Sequence, residues 1–268
     1  MFNLSIGIST VKTNSEQAIN LAFEILKADK SNFVNEVIIM AQFESENSNE
    51  ILTEKVKLFK SMDKGLSKSR NFLMSNSSSD YIWLLDDDVS ISEEQIKNVE
   101  AIINNIKYEC TDVFIGKILT AGTSNTPFKN YSKERKGIIG LLQTSSIEII
   151  LNRNFIVENN IKYDERLGLG AMYPCGEENF FLIDTWNKKA KFKFLDIFTL
   201  SHPKLELPAS STRYFLSEDQ INAKILILRA LPTKLRYLYF LKVSFRLLML
   251  KKFKLLMYFF KNCKSTNL

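Results

Sequence analysis

Apolar and polar residues alternate in blocks along the first half of the chain. Leu4–Thr10 is a short β-branched run ending in small residues and predicts a strand. Asn14–Lys27 repeats apolar side chains at Ala18, Leu21, Ala22 and Ile25, the spacing of one helix face. Glu36–Ala41 predicts a buried strand, Phe43–Asn49 a polar loop, Lys55–Phe59 a further strand and Gly65–Met74 a helix. Tyr81–Leu85 is a continuous apolar run, as a central parallel strand requires, and three aspartates follow it directly. Ser92–Ile106 reads as a helix capped by Ser92, with Glu93 and Glu94 in its first turn. Strand–helix alternation predicts an α/β domain with a mainly parallel sheet flanked by helices, whose ligands bind beyond the carboxyl ends of the strands.

The second half is less regular. Asp112–Leu119 and Phe192–Leu200 predict strands, Ile147–Val157 a helix, and Gly176–Lys189 a helix with acids first and lysines last. Thr120–Lys136, with Pro127 and the basic residues of Lys133–Lys136, reads as a mobile loop, and Tyr163–Pro174 as another loop. No second boundary stands out before about Ser217, so the expected organisation is one domain over 1–217 and a helical tail over 218–268.

Charge changes the picture at the tail. The 268 residues carry 36 Lys and Arg against 30 Asp and Glu, a net of +6. Every acid lies at or before Asp219, whereas residues 224–264 hold 11 basic groups and no acid, leaving 25 basic against 30 acidic groups before them, a net of −5. The basic pI therefore belongs to the tail and gives no reason to expect nucleic-acid binding by the main domain. Leu235–Phe260 mixes Leu, Phe and Tyr with Lys and Arg, which suits an interfacial helix on anionic lipid; packing on the domain or a dimer contact are the alternatives. Two helices breaking near Leu250 segregate the charges better than one. Lys242, Arg246, Lys251, Lys252 and Lys254 interrupt the apolar stretch, so a spanning helix is not expected. With no evident signal peptide, the expected location is the cytoplasm, on the inner face of the cell membrane. Three scattered cysteines and a single histidine argue against a disulfide framework and against zinc sites built on several histidines.

Four short segments carry candidate chemistry. Asp86-Asp87-Asp88 at a strand end offers oxygen ligands to Mg²⁺ or Mn²⁺, or merely solvates the strand end. Glu177 and Glu178 open a helix, where acids are favoured in any case, and either could be a general base. His202, before Pro203, could be a metal ligand or structural. Lys64–Asn71 (KGLSKSRN) places basic groups where phosphate could be met, or on a solvated helix start.

In order, KGLSKSRN (64–71), YIWLLDDDV (81–89), YDERLGLGA (163–171) and GEENFFL (176–182), with SHP at 201–203, resemble the family 2 glycosyltransferases over about residues 3–203. The later pieces are similar to bacterial enzymes of capsular or lipopolysaccharide-type glycan synthesis. The resemblance implies the GT-A fold and an inverting hexosyltransferase using a nucleotide-sugar donor, UDP-linked above all, with Mn²⁺ or Mg²⁺. The acceptor it implies is a glycan or a lipid-linked molecule. It places Thr10 near the nucleotide and Arg70 toward the nucleotide or its diphosphate. Asp86 falls on the ribose or base side with Asp87 beside it, and Asp88 on the metal, which His202 could complete. Glu178 matches the base that deprotonates the acceptor hydroxyl, with Glu177 the neighbouring candidate. Ala41-Gln42-Phe43-Glu44-Ser45 stands where the family carries an acidic turn, so recognition around Gln42 differs in detail. Two rival readings are a nucleotidyltransferase, disfavoured because Ser9-Thr10-Val11 is no Gly-rich phosphate loop, and an inactive, membrane-docked module that binds sugar nucleotides.

Overall fold

A computed structural model describes residues 2–108, 110–123, 125–131, 135–204 and 217–264 of the chain. Strands β1 (Leu4–Val11), β2 (Val34–Gln42), β3 (Ser48–Ile51), β4 (Val56–Lys60), β5 (Tyr81–Asp86), β6 (Val113–Thr120), β7 (Ile149–Asn152) and β8 (Phe192–His202) form one sheet in the order β3-β4-β2-β1-β5-β7-β6-β8. The pairs β4–β2, β2–β1, β1–β5 and β6–β8 are parallel; β3–β4, β5–β7 and β7–β6 are antiparallel. Helices α1 (Ser15–Ala28), α2 (Leu66–Asn76), α3 (Glu93–Ile103), α4 (Gly137–Leu141), α5 (Arg153–Glu158) and α6 (Glu177–Asn187) accompany the sheet, and α7 (Glu218–Ala230), α8 (Thr233–Met249) and α9 (Phe253–Lys264) follow it.

The sheet divides two apolar layers. On one face Ile6, Ile8, Trp83 and Leu85 pack with Ala18, Leu21 and Ile25 of α1 and Ile96 and Val99 of α3. On the other, Ile38, Ile82 and Leu84 pack with Leu73 of α2 and Phe181 and Leu182 of α6. Burial on both faces accounts for the continuous apolar runs at 37–41 of β2 and 81–85 of β5, and for the small Ser and Gly residues between the apolar residues of β1.

Two predicted elements are corrected. Ile147–Val157 is not one helix: a 3-10 turn, β7 and α5 divide it, and β7 is buried between β5 and β6. Its run Ile149-Ile150-Leu151 suits a buried strand as well as a helix, and strand pairing decides. The polar run after β2 ends in an exposed edge strand, β3, antiparallel to β4. The predicted mobile loop is also held down where it is described. Glu148, completely buried, receives Lys129 Nζ in a very short contact and Arg135 Nη1 at 3.1 Å, and Arg135 lies over the Tyr131 ring. Residues 132–134, within the predicted basic cluster, lie outside the described residues, as do 205–216 before the predicted boundary.

The tail forms two helices after α7, and the break falls where charge segregation placed it, with Lys251 at a left-handed φ of 54°. Helix α7 packs on the domain: Ile227 and Leu231 join Ile138 and Ile183, and Ala223 joins Leu167 and Cys175. Among the described residues no helix is long and apolar enough to cross a membrane.

Candidate active site

The four segments singled out in the sequence converge at the carboxyl end of β1 and β5. Helix α2 starts at Gly65, whose φ of 121° suits glycine. Leu66 N–H donates to Leu169 O at 2.9 Å and Ser67 Oγ to Leu167 O at 2.6 Å, tying KGLSKSRN to YDERLGLGA. Asn71 closes the tie: its side chain accepts from Tyr163 N–H at 2.8 Å and donates to Tyr163 O at 3.0 Å. Gly168 (φ 103°) lies so close to Ser67 and Glu177 that a Cβ would stand 3.3 Å from each.

Arg70 is the hub. It is 2% exposed. Its Nη2 donates to Asp86 Oδ1 at 3.1 Å and to Ser146 Oγ at 2.8 Å, and its Nη1 to Glu177 Oε1 at 3.2 Å. Its guanidinium lies over the Tyr163 ring, which stacks on Phe181 at 4.1 Å and 9°. Burial disfavours the charge, yet Asp86 and Glu177 more than offset it, so the guanidinium is held firmly cationic. The nitrogens expected to face a diphosphate are engaged by protein acids in this structure.

The two glutamates at the start of α6 differ in surroundings. Glu177 is 7% exposed and ion-paired to Arg70. Glu178 is half-buried, and burial together with the charge of Glu177 pushes its pKa up to about 8. A carboxyl raised in this way suits a proton-transfer role. Gly176 before them has a left-handed φ of 88°, and a Cβ there would meet Ile227 of α7 at 2.9 Å, so α7 seats the start of this helix.

The aspartate turn is held from both sides. Ser9 is in register with Asp86 across β1–β5 and accepts from Ser69 Oγ at 2.9 Å. Thr10 Oγ1 donates to Asp87 in a very short hydrogen bond, and Gln17 Nε2 to Asp87 O at 3.0 Å. Burial raises the Asp87 pKa, against the Thr10 hydrogen bond. Ser90 and Ser201 exchange backbone hydrogen bonds of 2.9 and 2.8 Å, which brings the turn onto the end of β8. Asp88 Oδ1 therefore lies 3.2 Å from His202 Nε2. The contact holds Asp88 below the usual carboxylate range and raises His202. His202 Nδ1 faces Pro203 O at 2.7 Å, and a carbonyl only accepts, so Nδ1 carries a proton and the ring is oriented with Nε2 toward Asp88. Gln42 is buried and donates from Nε2 to Gly65 O at 3.0 Å.

Among the described residues no three His, Cys, Asp or Glu side chains are gathered for a metal. Asp88 and His202 form a pair of donors, and Asp88 Oδ1 is buried without a hydrogen bond. Such a pair fits a divalent cation whose remaining positions come from phosphate oxygens and water. Two open recesses adjoin the centre, one lined by Gln42, Asp63, Lys68 and Asn71, the other by Asn14, Gln17, Asp87 and Asp88.

The sequence reasoning did not find Ser146, Tyr163 or Glu148. Tyr163 opens a quoted motif. Ser145 and Glu148 have capping-box spacing, a readable sign that a new element begins there, and Ser145 N–H does donate to Glu148 Oε2 at 2.6 Å.

The same architecture occurs in solved structures. S. aureus TarS 1-349 in complex with UDP-GlcNAc superposes with a TM-score of 0.67 at 18% identity, over 91% of this chain and 72% of that one. TarS 1-349 in complex with UDP gives 0.63 at 18%, over 87% and 68%, and S. aureus TarS gives 0.64 at 17%, over 91% and 43%. At this identity the likeness shows the fold, the GT-A fold of glycosyltransferases. No curated protein matches the sequence. The profile described as Glycosyl transferase family 2 matches residues 5–166, more than half of the chain, and the chain belongs to that family. It is a glycosyltransferase.

Proposed function

We propose that this glycosyltransferase moves a sugar with inversion from a nucleotide-diphosphate donor, a UDP-sugar, to a hydroxyl of a glycan or lipid-linked acceptor in bacterial surface polysaccharide synthesis. Arg70 carries the reading. One buried guanidinium joins Asp86, at the aspartate turn, to Glu177, beside Glu178, and so holds the donor side and the acceptor side in one frame. The UDP-GlcNAc and UDP complexes of TarS, which shares this fold, support the choice of donor.

In this mechanism the acceptor oxygen attacks the anomeric carbon and forms the new C–O bond, while the bond from that carbon to the diphosphate oxygen breaks. Glu178 takes the hydroxyl proton, and a base with a raised pKa near working pH suits that step. Thr10, Gln42, Asp86 and Asp87 lie on the nucleotide side, and Arg70 positions Asp86 and Glu177. Asp86, Asp87, Asp88 and Glu177 outnumber the single Arg70 guanidinium at the centre, so a diphosphate needs a compensating cation. Asp88 and His202 would hold Mn²⁺ or Mg²⁺, which when bound neutralises charge on the departing diphosphate.

Thermal-shift measurements with UDP, GDP, CDP and dTDP, each with and without Mn²⁺, test this. UDP with Mn²⁺ at about 100 times its dissociation constant adds about 2.7 kcal/mol. A Mn²⁺-dependent UDP-sugar hydrolysis abolished in folded Asp88→Ala separates an enzyme from a binding module. A folded sample that responds to none of the nucleotides overturns the proposal.

A further inference from the structure

Helices α7–α9 make a small core of their own. Ile221, Ile225 and Leu228 of α7 enclose Val243 and Leu247 of α8 and Phe259 of α9, and Phe240 stacks on Phe259 at 5.3 Å. With that core complete, α8 still presents Leu238, Leu241, Phe245, Leu248 and Met249 to the outside, each at least 50% exposed. Their spacing is that of one helix face, opposite Val243 and Leu247. On α9, Phe253 and Met257, one turn apart, are also more than half exposed. A run of large apolar side chains this exposed marks an interaction surface. Exposed lysines accompany it: Lys234 and Lys242 on α8, Lys251 and Lys252 at the break, Lys254 on α9. From residue 220 to the end of the chain there is no acid to oppose them.

We propose that this face docks on an anionic lipid surface, Leu241, Phe245 and Met249 entering the headgroup–acyl boundary while the lysines meet lipid phosphates. Charge complementarity selects the occupant. A neutral partner groove would not call for a rim free of acids, and a polyanion such as nucleic acid would not call for a central apolar stripe. The inference stands apart from the transferase reading, because docking needs neither donor nor metal. Since α7 also seats Gly176 beside Glu177, the docked face and the catalytic helix share one support.

Flotation of the full chain with phosphatidylglycerol–phosphatidylcholine vesicles, against phosphatidylcholine alone, tests it. The wild type is expected to float with the anionic vesicles and much less with neutral ones. Leu241→Gln with Phe245→Gln is expected to lower partitioning by about a hundredfold, since burial of each such side chain is worth about tenfold or more. Lys251→Glu with Lys252→Glu is expected to lower it by at least about 25-fold, and the wild type to weaken as salt rises. Circular dichroism and UDP-induced thermal shift report that each variant remains folded. Three outcomes overturn the proposal. They are no flotation of the wild type, flotation unchanged by the apolar pair, and sedimentation showing a dimer that the apolar pair dissolves while vesicles are ignored, which would assign the face to a second copy.

Discussion

Glu177 Oε1 accepts from Arg70 Nη1 at 3.2 Å, and this ion pair separates the chemistry of Glu177 from that of its neighbour Glu178. Glu177 Oε1 is engaged by the buried guanidinium, whereas the raised pKa of Glu178 suits proton exchange. Glu178→Gln is expected to lower turnover by about 10²–10⁴-fold with the fold intact, the usual contribution of a general base. Glu177→Gln is expected to act on stability as well, by about 1.5–3 kcal/mol, because it removes one of the two carboxylates that meet the buried guanidinium while Asp86 stays. Steady-state kinetics beside chemical denaturation of the two variants distinguishes them; a stable, active Glu178→Gln would move the base to Glu177.

The raised pKa of Glu178 sets a pH dependence with a definite sign. The base form appears as pH rises toward about 8, so kcat/KM is expected to climb through that range and level off above it. The same carboxyl binds its proton more tightly folded than unfolded. Its contribution to stability is therefore fully present below the ordinary glutamate pKa and is lost as pH rises to about 8. Glu178→Gln is expected to flatten this part of the stability–pH curve, measured by urea denaturation at a series of pH values.

Asp88 and His202 come together because Ser90 pairs with Ser201 across the turn. His202→Ala is expected to raise the Mn²⁺ concentration needed for half-maximal UDP-sugar hydrolysis by at least about tenfold. Asp88→Asn is expected to abolish the metal response, and chelation to silence the wild type reversibly. Metal titrations of the initial rate check all three.

Glu148 is completely buried against Lys129 and Arg135, and its neighbour Ser146 accepts from Arg70. Glu148→Ala leaves two partly or wholly buried cations without their carboxylate. The expected loss is about 3–5 kcal/mol, with new protease cleavage within 120–136, read by mass spectrometry of a limited digest. A variant of unchanged stability and unchanged cleavage would show that this segment is held in some other way.

The layered α/β domain could be read from local pattern because its central strands are buried on both faces. Positions in Leu4–Val11, Val34–Gln42 and Tyr81–Asp86 are buried almost throughout, Asn35 being the exposed exception, and amphipathic α1 and α3 separate or flank these strands. The order of the four motifs and the Asp cluster at a strand end were equally visible, since the parallel connections carry strand ends to one edge. The break near Leu250 followed from charge alone. Strand β7 did not, because a three-residue apolar run is compatible with two periodicities and only pairing with β5 and β6 selects one. Likewise no local rule tells which of two adjacent glutamates meets Arg70, 107 positions away, or that Lys129 and Arg135 close on Glu148. Those outcomes depend on burial and on charges that lie far apart along the chain. Folding brings them within a few ångströms, where the low polarity of the interior turns each missing partner into a cost and so fixes the choice.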